Sequence, residues 1–133
     1  MTEYTNIDRF NMITAVLLEE AYEAFPLPHY IEVTTLSAER PEIFGDEFDP
    51  DELTYATLSW LVEEGFIRDK GSDERYLAYV LSLKGFTALN RTPDSLDKSF
   101  QQKLKDNVAN GSWDAVRSIV PDLLRTALVN GIG

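Results

Sequence analysis

Acid–base chemistry needs a titratable pair, and the sequence sets a single histidine, His29, against 23 aspartates and glutamates. An imidazole oriented by a carboxylate can serve as a general base. The rest of such a site is missing from the residue inventory. There is no Cys, no Gly-rich phosphate loop and no Ser-centred nucleophile motif, and Pro28 and Tyr30 make His29 read as a turn entering a strand. A second candidate for chemistry is the acidic run GDEFDPDE at 45–52. Hard cations such as Ca²⁺ take several oxygens from one loop, and a calcium-binding loop places them at its first, third and fifth positions with Gly at the sixth. Asp46, Asp49 and Asp51 do not have that spacing, and a solvated loop followed by a helix cap accounts for the same residues. The sequence therefore assigns no catalytic residue, no metal ligand and no cofactor, and the chain is expected not to be an enzyme.

The acids of this run have a positional logic of their own. Asp49 is a good N-cap, Pro50 suits the first helical position and Glu52 the third, which together read as a capping box. Asp51 lies where the positive end of the helix dipole favours it. The helix is expected to run to about Glu64 and to stop at Gly65. At 3.6 residues per turn, Leu58, Leu61 and Val62 form one apolar patch, which Leu53, Ala56, Thr57 and Trp60 extend around another side. The narrow stripe left over is Glu52, Ala56, Ser59 and Glu63. Glu63 and Glu64 stand near the helix C-terminus, where the dipole does not favour them, so capping cannot explain them. Glu52, Ser59, Glu63 and Glu64 are accordingly the candidate partner-facing surface.

The elements around this helix can be read from periodicity. Ile7, Phe10, Ile13, Leu17, Ala21 and Ala24 recur at steps of three and four, which predicts a helix from Asn6 to Phe25, closed by Pro26 and Pro28. HYIEVTTL, at 29–36, reads as a short strand, and SAERPEIFGDEF, at 37–48, allows one helical turn capped by Ser37. FIRDK, GSDE and RYLAYVL read as strand, turn and strand. Both faces of RYLAYVL are apolar, so both are expected to be covered, one by the first helices and the other by the C-terminal helices or a second copy. A short helix should start at Ser82, with Gly85 permitting a close approach by another segment. Thr92-Pro93 should begin a helix on which Leu96, Phe100, Leu104 and Val108 step by four, ending at Asn110-Gly111. Ser112 should cap a last helix that Pro121 kinks or restarts and that stops at Asn130-Gly131.

This order of elements resembles a winged helix. TLSWLVEEGFIRDKGSDERYLAYVLSLKGFTAL, at 57–89, is similar to the core of regulators of the MarR and PadR type, with the matching positions at Leu58, Leu61, Gly65, Phe66 and Ile67, then Val80, Leu81, Ser82 and Gly85. The whole chain is also similar to small uncharacterised bacterial proteins with this winged core and a C-terminal helical tail. The resemblance implies an α+β fold, a winged helix-turn-helix domain at 1–91 with a β-hairpin wing, and a helical extension at 92–133 for packing or dimerisation. It also implies a recognition helix whose outward stripe reads base edges, for which Arg, Lys, Asn or Gln would be wanted. The stripe here carries carboxylates, a methyl and a hydroxyl, and Arg68, Lys70 and Arg75 of the wing are offset by Asp69, Asp73 and Glu74. The family's DNA-reading residues do not carry over to this sequence.

Charge sharpens that expectation. The net charge is −11, and residues 1–90 hold eighteen acidic against six basic residues. Such a balance disfavours nucleic acid and anionic membrane as partners. No apolar run approaches the ~20 residues that span a bilayer, and the N-terminus shows no signal peptide, so a cytoplasmic location without membrane contact is expected. The last helix carries more apolar residues than one face holds, and Val116, Ile119, Leu123, Leu124 and Leu128 are the candidate dimer or partner-binding set. The sequence thus points to a non-catalytic protein-interaction or regulatory module that binds a protein partner or itself. Its acidic surface suits the basic nucleic-acid-binding site of another protein. A DNA-binding transcriptional regulator, using the wing or Lys98, Lys103 and Lys105, is the alternative.

Overall fold

The computed structural model describes residues 4–93 and 98–130. Its first helix, α1 (Asn6–Ala24), begins with a reciprocal cap: Thr5 Oγ1 accepts from the Asp8 N–H, and the Asp8 carboxylate accepts from the Thr5 N–H. α1 is buried continuously from Arg9 to Leu18 apart from Phe10, and it is the spine on which the sheet and the later helices pack. The strand β1 (His29–Glu32) follows, and here HYIEVTTL departs from expectation. Its second half is helical, as α2 (Val33–Glu39). Val33 and Leu36, three residues apart, are both buried, so a helical period satisfies the core where the β-branched composition alone suggested a strand. Ser37 lies within α2 and donates to the Thr34 carbonyl (3.2 Å) instead of capping a turn of its own.

A single 3₁₀ turn (Pro41–Ile43) leads into α3 (Pro50–Glu63), the helix read as recognition-like. Asp49 caps it by accepting from the Asp51 N–H at 3.0 Å, and Pro50 takes the first turn. The return bond expected from Glu52 is absent among the described residues, and Glu52 is exposed. The loop between these helices is pinned from below by Arg9, which donates to the Ile43 carbonyl at 2.7 Å and lies against the Phe48 ring.

β2 (Ile67–Asp69) and β3 (Tyr76–Leu81) form the hairpin, and the three antiparallel strands run in the order β1-β3-β2. Leu77, Tyr79 and Leu81 point into the core, where the Tyr79 hydroxyl donates to the Leu17 carbonyl at 2.9 Å. On the other face Ala78 is buried, with Ser72 bonded to its backbone N–H and carbonyl, while Tyr76 stays 41% exposed. The C-terminal helices are therefore not the cover expected for that face; they pack on α1 and on α4 (Leu83–Leu89). α4 starts at Ser82, whose hydroxyl accepts from the Gly85 N–H at 3.1 Å. Gly85 does permit a close approach: a Cβ there would lie 2.2 Å from the Phe66 carbonyl oxygen.

α5 (Phe100–Asn110) begins later than Thr92-Pro93, with Ser99 as its cap, and the expected Leu96 lies outside the described residues. Gly111, at φ 67°, closes it. α6 (Trp113–Asn130) runs through Pro121 without the expected restart. Val120, Leu123 and Ala127 are buried on either side of the proline, and that packing holds the helix in one piece despite the missing N–H. Residues before and after the expected boundary at 91/92 share one apolar core. Among the described residues no helix is long and apolar enough to cross a membrane.

Candidate functional site

α3 borders an open apolar groove of about 730 Å³ that lies between the start of α1, one flank of α3 and the second half of α6. Ile7, Phe10, Trp60, Phe66, Leu124 and Leu128 supply most of its apolar wall. Trp60 is the centre of an aromatic cluster, edge-on to Phe10 (centroids 5.0 Å apart) and stacked with Phe66 (6.4 Å). The volume falls in the range of small-molecule sites. Its lips, however, are large apolar side chains left in water: Ile7 is 60%, Trp60 38% and Leu128 68% exposed. Contiguous apolar surface of this kind, rimmed by polar groups, marks a contact site more than a solvated face.

α3 serves three surroundings at once. Leu58, Leu61, Thr54 and Thr57 face the core, and both threonine hydroxyls donate to the carbonyl one turn back, so their burial leaves no unpaired donor. Leu53, Ala56, Trp60 and Glu64 line the groove. Glu52, Ser59 and Glu63 lie roughly a quarter turn further round and are exposed. None of Glu52, Glu63 and Glu64 has an ion-pair partner among the described residues. Of the two cations at the groove, Arg125 pairs with Asp122 at 3.0 Å, while Lys84 Nζ donates to the Glu64 carbonyl (2.8 Å), sits 4.7 Å from the Phe66 ring centre and keeps its charge. Three unpaired carboxylates against Lys84 leave the net charge beside the groove negative.

The candidate set on α6 divides between two environments. Val116, Ile119 and Leu123 are buried within the chain's own core, so they present no face to a partner. The extra apolar residues of α6 are consumed by α1, α4 and α5, which surround it. Leu124 is half-buried and Leu128 exposed, and both line the groove. The second apolar side of α3, with Trp60, is visible as a pattern; the groove it shares with Ile7 and Leu128 is not, because that groove joins residues more than fifty positions apart in the sequence. Ile7 reads as core from its spacing in α1, yet it sits at the edge of that stripe, and this is the one sequence signal that could have set it apart.

His29 does meet a carboxylate, with Nε2 3.1 Å from Glu20 Oε1, and its ring lies edge-on to Tyr79. The pair ties β1 to α1. Beside it, burial together with the charges of Glu23 and Glu20 pushes the Glu19 carboxyl above its usual range. Burial, then Glu20 and Glu19, pushes the Tyr79 phenol well up. Among the described residues no three His, Cys, Asp or Glu side chains converge in a way that could hold a metal ion. In the β2–β3 hairpin, Asp69 bonds the Ser72 N–H and Asp73 bonds the N–H groups of Arg75 and Tyr76, which holds both carboxyls below the usual range, with the side chain of Ser72 and the backbone of Tyr76 the leading causes. These acids serve the turn and stay charged beside Arg68 and Lys70. Of the C-terminal lysines, Lys98 pairs with Asp106 (3.0 Å) and Lys105 with Glu23 (3.6 Å).

Comparison of the chain with protein-family models, with curated proteins and with solved structures returns no match.

Proposed function

We propose that the chain is a non-catalytic winged-helix module that binds another protein through the groove and the adjoining acidic flank of α3. The element order from α1 to β3, and a sheet in which β3 is central, support the winged-helix reading. One observation carries the function. The helix in the recognition position bears unpaired carboxylates next to exposed Trp60, where a DNA reader would bear cations. Aromatic anchors in a pocket with a charged rim are the anatomy of a protein interface. The test is affinity capture from the native host with the full chain, with Leu128→Ser, and with the double variant Glu52→Gln, Glu63→Gln. A protein retained by the full chain and lost from both variants supports the module; capture indifferent to both sinks it.

A second reading, the DNA-binding regulator, has one observation in its favour. Arg68 and Lys70 alternate onto one side of the β2 segment and have no ion-pair partner among the described residues. Binding to random duplex DNA at low salt, where phosphate attraction is strongest, decides it. Retention that disappears with Arg68→Ala and Lys70→Ala favours the regulator, and no retention at low salt removes non-specific DNA affinity.

A further inference from the structure

We propose that the occupant of the groove is a basic amphipathic helix about three turns long, supplied by a partner protein. This rests on the interaction-module reading and specifies its partner. Three observations lead to it. The first is shape. The α3 residues that line the groove run from Leu53 to Glu64, which at 1.5 Å per residue is about 16 Å of wall, or three turns of a helix laid alongside. Phe10 and Trp60 lie along it, with Leu124 and Leu128 on the opposite side. Such a wall matches anchors spaced i, i+3 or i+4, and i+7 on one face of an incoming helix.

The second is charge. Glu52 and Glu63 stand along the outer rim on the α3 side and Glu64 stands in the wall, and none has an ion-pair partner among the described residues. Arg125 is paired with Asp122, and Lys84, held by the Glu64 carbonyl and the Phe66 ring, offsets one of the three carboxylates at most, so the rim keeps a net negative charge. An incoming helix with Lys or Arg flanking its apolar stripe would meet these carboxylates, and one with Glu in those positions would be repelled. The third concerns the chain itself. Its net charge of −11 opposes a second copy as the occupant, since that copy would bring like charge to the same rim.

The experiment uses the full chain and three labelled peptides of about fourteen residues, long enough for the three turns above. One has Leu and Lys at amphipathic helical spacing, one replaces every Lys by Glu, and one shuffles the first so that no apolar face remains. Fluorescence anisotropy gives each Kd at low and at high salt. The Leu/Lys helix should bind at least tenfold tighter than either of the others. Trp60→Ala and Leu128→Ser should each weaken it about tenfold or more, as expected for anchors at the centre of an interface. Leu128, being exposed, can be changed without disturbing the core, so the pair remains informative if Trp60→Ala folds poorly. The triple variant Glu52→Gln, Glu63→Gln, Glu64→Gln should weaken binding several-fold and remove most of its salt dependence.

Equal affinity for the shuffled peptide, or affinity for the Leu/Lys helix that ignores both groove substitutions, overturns the proposal, since charge alone would then explain the binding. Tighter, Leu128-dependent binding of the Leu/Glu helix overturns the basic partner while leaving the groove as a protein site. If no peptide binds through the groove yet host capture remains sensitive to Leu128→Ser, the helical occupant falls and the interaction module stands. If capture is also indifferent, both fall.

Discussion

Replacing Gly85 with Ala adds one methyl group to a helix and should nevertheless destabilise the chain. In an exposed helix the exchange would gain about 1 kcal/mol, because Gly is the poorest ordinary helix former after Pro. Here the new Cβ would lie 2.2 Å from the carbonyl oxygen of Phe66 and 3.3 Å from the Leu81 side chain. The first contact is with backbone, so rotamer adjustment cannot relieve it. Bringing the separation to ordinary contact requires α4 and the α3–β2 junction to part by roughly an ångström, and overpacking of this kind costs about 1–3 kcal/mol. The same carbonyl accepts the Ser82 N–H at 3.1 Å, so parting the segments also weakens a bond worth about 1 kcal/mol. With the propensity gain subtracted, the net loss is about 1–3 kcal/mol. Urea unfolding of Gly85→Ala should show a lower midpoint at unchanged slope. Gly111→Ala is the matched control. It has open space around it and a φ of 67°, so its cost of about 1–2 kcal/mol is conformational alone. Phe66 also lies in the groove wall, so in a Trp113→Phe background, where Trp60 is the sole emitter, only the Gly85 variant should in addition change the fluorescence. A Gly85→Ala chain as stable as the parent, or more so, would refute the close approach of α4 to Phe66 and with it the packing described for this junction.

Thr14 is fully buried in α1 and its Oγ1 has no hydrogen-bond partner among the described residues; Thr14→Val, equal in shape and branching, should stabilise by about 1 kcal/mol, and a loss of that size in urea unfolding would mean that the hydroxyl is bonded. Glu19→Gln should raise Tm at neutral pH, because burial and then Glu23 and Glu20 disfavour the charged carboxylate. A raised carboxyl pKa lowers stability as pH rises through it, so the gain should shrink in mildly acidic buffer, and a gain independent of pH would contradict this cause. The Asp8 carboxyl is held below its usual range by the Thr5 N–H first, then by the Thr5 hydroxyl and Arg117 (3.2 Å). Its contribution is present above the unfolded pKa and lost as pH falls through the folded one, so Asp8→Asn should lower Tm at pH 7 by more than at pH 2, and equal losses at both would count against it.

The parts of the fold that could be read in advance are those decided within a few residues. Asp49-Pro50, Ser82 and Asn110-Gly111 act through bonds to backbone groups two to four positions away, and each starts or ends a helix where its chemistry says it should. The misread parts are those where distant packing overrides local preference. The β-branched segment 33–36 is helical because Val33 and Leu36 must both reach the core. Of the two outcomes expected at Pro121, a kink or a restart, the restart does not occur, because buried neighbours on both sides outweigh one lost hydrogen bond. α5 starts where Ser99 caps it locally through the Gln102 N–H.

The groove belongs to the second class, and its position explains why α3 has the composition it has. A helix that packs one face on the core and reads DNA with the other needs two kinds of surface. α3 has three: a core face closed by Leu58 and Leu61, an aromatic flank at Trp60 and an acidic edge at Glu52 and Glu63. The sequence shows the two apolar patches and the stripe, but cannot separate a patch covered by the chain from one left open. That difference is made by α6, which lines the groove with Pro121, Leu124, Arg125 and Leu128 and leaves a gap beside Phe10 that its own side chains do not fill. Had α6 ended a turn earlier, the wall across from Trp60 would keep Pro121 and Leu124 but lose Leu128. Because it continues, the aromatic flank and the carboxylates share one rim, and a ligand for either must satisfy both.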